Sequence, residues 1–345
     1  MRFFTSMRVL TPPERELLLD AKDWRVLKEV ITNVRQPLSQ VAKRCLLSRQ
    51  QVEYRLKLLQ QNHLLIGSRA VVDIQKLGYK SYHVFIEVHT PEEEELLLKR
   101  AQQSSCVNAI IRYSGKYNLE ISIMARSSEE FISIYESLVS GVRIRDDHVL
   151  VLLRTFISQV LPHQYFPALK PLTDTKFSPI RQQKMVAHTL DATDVHLLFT
   201  LSRDALTSNL TLAKKLKISK DTVAYRLSKL EKHRYLREYR PVINYSVLGL
   251  SINSMLIKLN YSATISSEFE LFLSSQGSIL WATRVFGYYD YLIYIITKDL
   301  DEFHEVINNI KKKFHGLMKT YEILFAYEQL KYNYMADSIV NDFKK

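Results

Sequence analysis

Apolar side chains recur every three to four positions between residues 20 and 34, where Trp24, Leu27, Val30, Ile31 and Val34 fall on one helical face. Pro37 interrupts that run and can open a new helix at its first turn. Leu38, Val41, Ala42 and Cys45 give a short second helix, with Ala42 small where two helices approach. Ser48 is placed as an N-cap, its hydroxyl able to accept from the free amides of the following turn. The spacing of Val52, Leu56 and Leu59 predicts a third helix over 49–61 with one buried stripe. Past Gly78 the period changes. Tyr82 to Val88 alternates like a half-buried strand. Residues 91–104 read as a helix whose start, Glu92 to Glu95, suits the helix dipole. Strands over 107–113 and 117–124 flank the turn Ser114-Gly115-Lys116, a helix spans 128–139, and a strand over 149–157 closes the unit. The order βαββαβ is that of a ferredoxin-like split sheet.

The plan is then repeated. Leu19-Asp20 returns as Leu190-Asp191, and the offset of 171 holds without a gap to Gly78 and Gly249. Ala42/Ala213, Ser48/Ser219, Val52/Val223, Tyr54/Tyr225, Arg55/Arg226 and Leu59/Leu230 are identical along it. A later block repeats at offset 172, including Arg112/Arg284, Gly115/Gly287, Tyr117/Tyr289 and Phe131/Phe303. In the second copy Ser219 is the cap and Val223, Leu227 and Leu230 the stripe. Strands are expected over 251–261, 279–286, 289–297 and 319–327, with helices over 266–275 and 300–314. So long a period marks a duplicated protomer, not a solenoid. The expected class is α+β: helix-turn-helix domains at 19–65 and 190–236 alternate with ferredoxin-like domains at 79–158 and 250–335. A linker at 159–188 carries Pro162, Pro167, Pro171 and Pro179. In extended proline-rich form it spans tens of ångströms, enough for the halves to pair within one chain. Each sheet has one face covered by its helices, and the other copy's sheet is the simplest cover for the opposite face.

Charge sharpens this picture. The net charge is +12. Residues 19–69 account for +6 and residues 190–240 for +5, so the excess sits in one module of each copy. Such concentration implies a polyanionic partner. A helix fits the major groove, and its N-terminal side chains reach base edges. The outward residues are Ser48, Arg49, Gln50, Gln51, Arg55 and Lys57 in one copy. In the other they are Ser219, Lys220, Asp221, Thr222, Arg226 and Lys229. Arg or Lys suits guanine and Gln suits adenine, while Arg55, Arg226, Lys57 and Lys229 lie further along and are expected to anchor phosphates. Because Arg49-Gln50-Gln51 and Lys220-Asp221-Thr222 present unlike groups, the two half-sites should differ. The turn before each cap needs a left-handed residue, yet holds Leu46 and Lys217, at a cost of about 1–2 kcal/mol.

Other classes are disfavoured. No apolar run reaches the length of a membrane span, and the N-terminus lacks a signal pattern. Cys45 and Cys106 read as structural thiols of a reducing compartment, which places the protein in the cytoplasm. No Gly-rich phosphate loop, nucleophile elbow or metal-spaced His/Cys set is present, so no catalytic residue, metal or cofactor is expected.

These residues resemble the Lrp/AsnC, or feast/famine, transcription regulators of prokaryotes. The family pattern of Leu-Asp-x-x-Asp, Leu-Ser, Val-x-x-Arg-Leu and Leu-Gly reads here as Leu19-Asp20, Leu47-Ser48, Val52 to Leu56 and Leu77-Gly78. It reads again as Leu190-Asp191, Ile218-Ser219, Val223 to Leu227 and Leu248-Gly249. The family's effector (RAM) domain is marked by a Gly-x-Tyr-Asp turn, matched by Gly287, Tyr289 and Asp290 and, with Asn in place of Asp, by Gly115, Tyr117 and Asn118. The resemblance implies double-stranded DNA as partner and an amino acid or other small effector bound near those six residues. It also implies sheet-to-sheet dimerisation, here an intrachain pseudo-dimer, with higher homo-oligomers built on it. Two rivals remain. Sirohaem decarboxylases share the architecture, but the His-rich motif they need on the second effector strand is missing from Val107–Tyr113 and Leu280–Phe286. An architectural or sensor protein that binds without reading sequence is the other.

Overall fold

A computed structural model describes residues 17–166, 189–260 and 263–343. In chain order the first copy contains α1 (Ala21–Thr32), α2 (Leu38–Cys45), α3 (Arg49–Gln61), β1 (Leu65–Val72), β2 (Lys80–Val88), α4 (Pro91–Gln103), β3 (Val107–Ser114), β4 (Leu119–Ala125), α5 (Ser128–Val139) and β5 (Ile144–Ser158). The second contains α6 (Ala192–Arg203), α7 (Asn209–Leu216), α8 (Lys220–Lys232), β6 (Leu236–Ile243), β7 (Ser251–Leu259), α9 (Ala263–Ser275), β8 (Ile279–Gly287), β9 (Tyr291–Thr297), α10 (Leu300–Phe314) and β10 (Met318–Tyr332). A last helix, α11 (Asp337–Asp342), follows. The chain forms two compact units. Among the described residues, one gathers 19–79, 166, 189–243 and 333–343, the other 17–18, 80–165, 244–260 and 263–332. Both copies contribute to each.

The first unit holds both helix-turn-helix sets. Asp20 caps α1, accepting from the amides of Lys22 and Asp23, and Asp191 caps α6 in the same way through Asp194. α1 stops at Thr32, short of the expected 34, because the Val34 amide turns away to the Tyr239 carbonyl at 3.0 Å. Leu46 and Lys217 are left-handed at φ 56°, so both turns form without glycine. The next amides bond back across them, Leu47 to Ala42 and Ile218 to Ala213, which helps offset the strain. His63 and Arg234 repeat the device at the ends of α3 and α8.

β1 and β6 pair antiparallel across the two copies, with Arg69 opposite its own match, Arg240. A pseudo-twofold axis therefore passes through this ribbon. The contacts around it are reciprocal: Val34 donates to Tyr239, and the matched Ala205 donates to the matched Ser68. α11 falls beyond the expected elements. It buries Ile339 and Val340, and Arg203 of α6 holds it through the Met335 carbonyl and Asp337.

The second unit is a closed eight-stranded barrel in the order β10-β3-β4-β2-β5-β8-β9-β7. Within each copy the strand order is that of the expected βαββαβ sheet. Closure comes from β5 and β10, each 15 residues long. The first part of β5 pairs with β2 of its own copy and the second part with β8 of the other. β10 does the same with β7 and β3. β10 exceeds the expected 319–327 because its outer part runs on to pair with β3 of the other copy, whereas β5 exceeds 149–157 at its start, where Ile144–His148 pair with β2 of its own copy. Each copy has its own helix-on-sheet core, one around Leu97, Ile121 and Phe131, the other around Phe269, Ile293 and Phe303. A third core, with Phe85, Tyr117, Leu256, Tyr289 and Leu324, lies between the sheets.

The segment from 159 does not start as a free spacer. Gln159 donates to the Leu280 carbonyl at 2.9 Å, and Tyr165 Oη donates to the Ile296 carbonyl at 2.6 Å. Pro162 lies in this bound stretch, whereas Pro167, Pro171 and Pro179 lie outside the described residues.

Candidate nucleic-acid interface

The third helix of each triple is built to show one face. Ser48 Oγ accepts from the Gln51 amide (3.2 Å), and Gln51 Oε1 accepts from the Ser48 amide (2.9 Å), closing a capping box. Ser219 caps α8 through the Thr222 amide at 2.9 Å. Val52 and Leu59 in α3, and Val223, Leu227 and Leu230 in α8, pin the opposite faces into the core. What remains outward is Arg49, Gln50, Gln51, Glu53, Tyr54 and Lys57 in α3, with Lys220, Asp221 and Tyr225 in α8; Thr222 and Lys229 are half-buried.

Three expected roles change. Arg55 does not stand out as a phosphate anchor. Its Nη1 reaches both Asp20 oxygens at 2.8 and 2.9 Å and Asp23 Oδ1 at 2.5 Å, and its side chain is only 17% exposed. Arg226 repeats the arrangement with Asp191 (2.7 Å) and Asp194 (2.9 Å). The two aspartates of the Leu-Asp-x-x-Asp motif thus cap the first helix and tie the third helix to it. Burial, the largest single influence on the Asp20 carboxyl, pushes its pKa up, but the Asp23 and Lys22 amides and the Arg55 guanidinium together hold it below the ordinary value. The Asp191 carboxyl is lowered against burial in the same way, by the Asp194 amide and Arg226. Gln51 is the second correction: its oxygen belongs to the capping box, so it cannot bridge an adenine as a free amide would. Thr222 is the third, its hydroxyl 2.8 Å from Ser219 Oγ. Arg49, Gln50, Lys57, Lys220 and Asp221 keep outward side chains.

The six residues of the expected effector set serve the barrel. Tyr117 and Tyr289 are buried matched residues whose hydroxyls lie 3.4 Å apart. Burial pushes the Tyr117 hydroxyl up to about 12. Asn118 Oδ1 accepts from the Val88 amide (2.9 Å), and Asp290 Oδ2 from the matched Leu259 amide (2.8 Å). Only an oxygen acceptor is needed there, so Asn replaces Asp without loss of that bond; Asp290 adds Lys258 at 3.2 Å. Gly115 and Gly287 have φ of 140° and 154° and lie against the other copy's long strand. A Cβ on Gly115 would stand 3.0 Å from Leu324 Cδ2, and one on Gly287 would overlap the Val149 carbonyl. These positions clasp the two sheets: Tyr117 and Tyr289 are buried, Asn118 and Asp290 half-buried, and the two glycines exposed at the rim.

A buried polar cluster inside the barrel escaped the sequence reading. Glu120, 2% exposed, lies 2.5 Å from His83 Nδ1 and accepts from Tyr113 Oη (2.6 Å) and Tyr294 Oη (2.7 Å). Tyr113 Oη is also 2.7 Å from Ser254 Oγ. Burial first, and the neighbouring Glu120 second, push both tyrosine hydroxyls far above their ordinary range. The sequence signal was Glu120 and Ser122, two polar residues at alternate positions of a strand whose other residues are apolar. Among the described residues no group of three or more His, Cys, Asp or Glu is arranged to hold a metal ion, and no helix is long and apolar enough to cross a membrane.

Residues 190–231, which contain α6, α7 and nearly all of α8, match the model of the AsnC-type helix-turn-helix domain. The second copy therefore carries an AsnC-type helix-turn-helix domain, and the chain is similar in sequence to the Lrp/AsnC regulators. The leucine-responsive regulatory protein of Haemophilus influenzae is 24% identical over 153 residues, 43% of this chain and 92% of that protein. The transcriptional regulator AzlB of Bacillus subtilis is 25% identical over 121 residues, 34% of this chain and 76% of its own length. Each of these relatives therefore corresponds to less than half of this chain. Over the whole length, the crystal structure of the siroheme decarboxylase NirDL superposes with a TM-score of 0.65 at 15% identity, covering 94% of this chain and 97% of that one. At that identity the match shows the fold alone. The relatives' names support a transcription regulator. Tyr54 and Tyr225, identical in both copies and exposed in both, were visible in the repeat but absent from the expected contact set.

Proposed function

We propose that this chain is a sequence-specific, double-stranded-DNA-binding transcription regulator that acts as a one-chain pseudo-dimer and reads two unlike half-sites. The reading is carried by one observation: two capped helices with exposed polar and basic faces, α3 and α8, belong to one unit whose copies are joined by the β1–β6 ribbon. Ser48, Arg49, Gln50 and Lys57 on one side, and Ser219, Lys220, Asp221 and Lys229 on the other, supply the contacts. A two-chain dimer with identical helices favours a symmetric site; these helices do not share Gln50 and Asp221. Selection of bound sequences from random DNA should return two different half-sites. A symmetric consensus would remove the two-site reading. Equal affinity for selected and random duplexes would turn the protein into an architectural binder.

A small effector, an amino acid first, is proposed as modulator, and the name of the Haemophilus influenzae relative supports testing leucine. Because Tyr117 and Tyr289 are buried, any ligand would contact exposed residues around that clasp. Calorimetric titration with leucine, with and without DNA, decides the point. Further homo-oligomers and a cytoplasmic location belong to the same proposal.

The rival is an enzyme on the same fold, favoured by the whole-length superposition on NirDL. The second effector strands carry no histidine; His83 lies on β2, bonded to Glu120 and Ser122. Titration with sirohaem should leave its absorption spectrum unchanged. A shifted band would favour the enzyme.

A further inference from the structure

We propose that Tyr54 and Tyr225 anchor the two recognition helices to the DNA sugar–phosphate backbone, each through a neutral hydroxyl hydrogen bond to a phosphate oxygen. The inference rests on the DNA-binding reading and adds a contact that the charged residues do not supply.

Three observations carry it. Tyr54 is 63% exposed and Tyr225 67%, on outward faces of α3 and α8. Large aromatic side chains are usually packed, and both copies leave this one in water. Next, the outward positions around it have diverged: Arg49/Lys220, Gln50/Asp221, Gln51/Thr222, Glu53/Ala224 and Lys57/Ser228 all differ, while the tyrosine is unchanged. A group that reads base edges should vary with them if the half-sites differ. One that holds the backbone can stay the same, since phosphate contacts fix register and carry no sequence. Finally, the neighbouring arginines are engaged elsewhere. Arg55 and Arg226, the nearest cations along the chain, are tied to Asp20 and Asp23 and to Asp191 and Asp194. The tyrosine sits one residue earlier, past the N-terminal turn that enters the groove, where a long side chain with a terminal hydroxyl can reach the backbone.

A neutral contact has its own thermodynamic signature. A lysine on a phosphate releases counterions, so removing it lowers the salt slope by about one. A tyrosine hydroxyl releases none. The test measures full-length wild type, Tyr54→Phe, Tyr225→Phe, the double variant and Lys57→Ala on a selected duplex and a random duplex of equal length, over a salt series. Each Phe variant is expected to weaken binding about fivefold on both duplexes. The double variant should lose about the product, with the salt slope unchanged, while Lys57→Ala lowers the slope. Thermal unfolding of the Phe variants should match wild type, since the hydroxyls are exposed. If wild type binds and the Phe variants bind equally well, the inference is wrong and the regulator reading stands. Loss confined to the selected duplex overturns it in favour of a base contact. If wild type binds neither duplex, the regulator reading fails and the anchor falls with it.

Discussion

In the helix-turn-helix copies the interior stays largely apolar, with changes such as Val26/Leu197 and Val41/Leu212, and the outward residues change character, whereas in the sheet copies polar divergence lies inside. Val52/Val223, Leu59/Leu230 and the Arg55/Arg226 ties are shared between the triples, which vary where they meet solvent. Across the barrel interior, Glu120 corresponds to Leu292, Tyr113 to Val285, His83 to Ser254 and Ser122 to Tyr294. One copy supplies the acid and Tyr113; the other supplies Tyr294, which donates to the acid, and Ser254, which bonds Tyr113. Two identical chains could not place such a group only once. An isologous interface presents every residue twice, so a two-chain barrel would bury two such glutamates, each needing its own set of donors. Fusion into one chain removes that restriction. The lesson is that fusion lets the shared core become asymmetric while each recognition unit keeps its own scaffold.

The severest test restores the symmetry. Leu292→Glu places a second carboxyl in an apolar part of the interior, where no matching tyrosine and histidine pair awaits it. Urea unfolding should show a loss of at least about 4 kcal/mol, the range reached by buried unpaired charge. Glu120→Ala should cost about 3 kcal/mol, since it strips the acceptor from two buried tyrosines and a histidine. A Leu292→Glu variant of native stability would mean that the interior asymmetry has no energetic basis.

The clasp glycines give a smaller contrast. Both have positive φ, so alanine is strained at either. Gly287 also meets backbone, the Val149 carbonyl, together with Leu150 Cδ2 at 2.9 Å, while Gly115 meets Leu324 Cδ2 at 3.0 Å and the Ile323 carbonyl at 3.1 Å. Gly287→Ala is expected to lose about 2–3 kcal/mol and Gly115→Ala about 1–2. Melting temperatures of the two variants rank them. The reverse order would show that the long strands yield more readily at the β5–β8 seam than at the β10–β3 seam.

Much of this fold was legible because periodicity records which face a residue turns to its own core. The three helices of each triple, the Ser48 and Ser219 caps and the βαββαβ order follow from spacing alone. The barrel seams were not legible: the outer parts of β5 and β10 pair with the other copy while half-exposed, so Leu153, Arg154 and Thr155 carry no clean alternation. The role of Arg55 was hidden for a different reason. A cation on an amphipathic helix looks alike whether it meets phosphate or an aspartate thirty-five residues upstream. The signal lay in the repeat, where Asp20, Asp23 and Arg55 recur together as Asp191, Asp194 and Arg226. α11 is too short for its Ile339 and Val340 to register as a period.

The arginine ties should give a small effect and the most even one. Arg55→Ala and Arg226→Ala are each expected to lower stability by about 1–2 kcal/mol at neutral pH: solvent screens the pairs with the half-exposed Asp20 and Asp191, while Asp23 and Asp194 are more buried. The acid limb gives the sign. The Asp20 and Asp191 carboxyls are held below their ordinary pKa in the folded chain. Their contribution is therefore complete above the unfolded value of about 3.9 and disappears as pH falls through the lowered folded value. In urea unfolding across pH, wild type and each arginine variant should differ above about pH 5 and converge in acid. Equal losses in the two copies support a scaffold shared by both recognition helices. A loss confined to one copy would mean that the triples have diverged internally after all, and the contrast with the barrel would no longer hold.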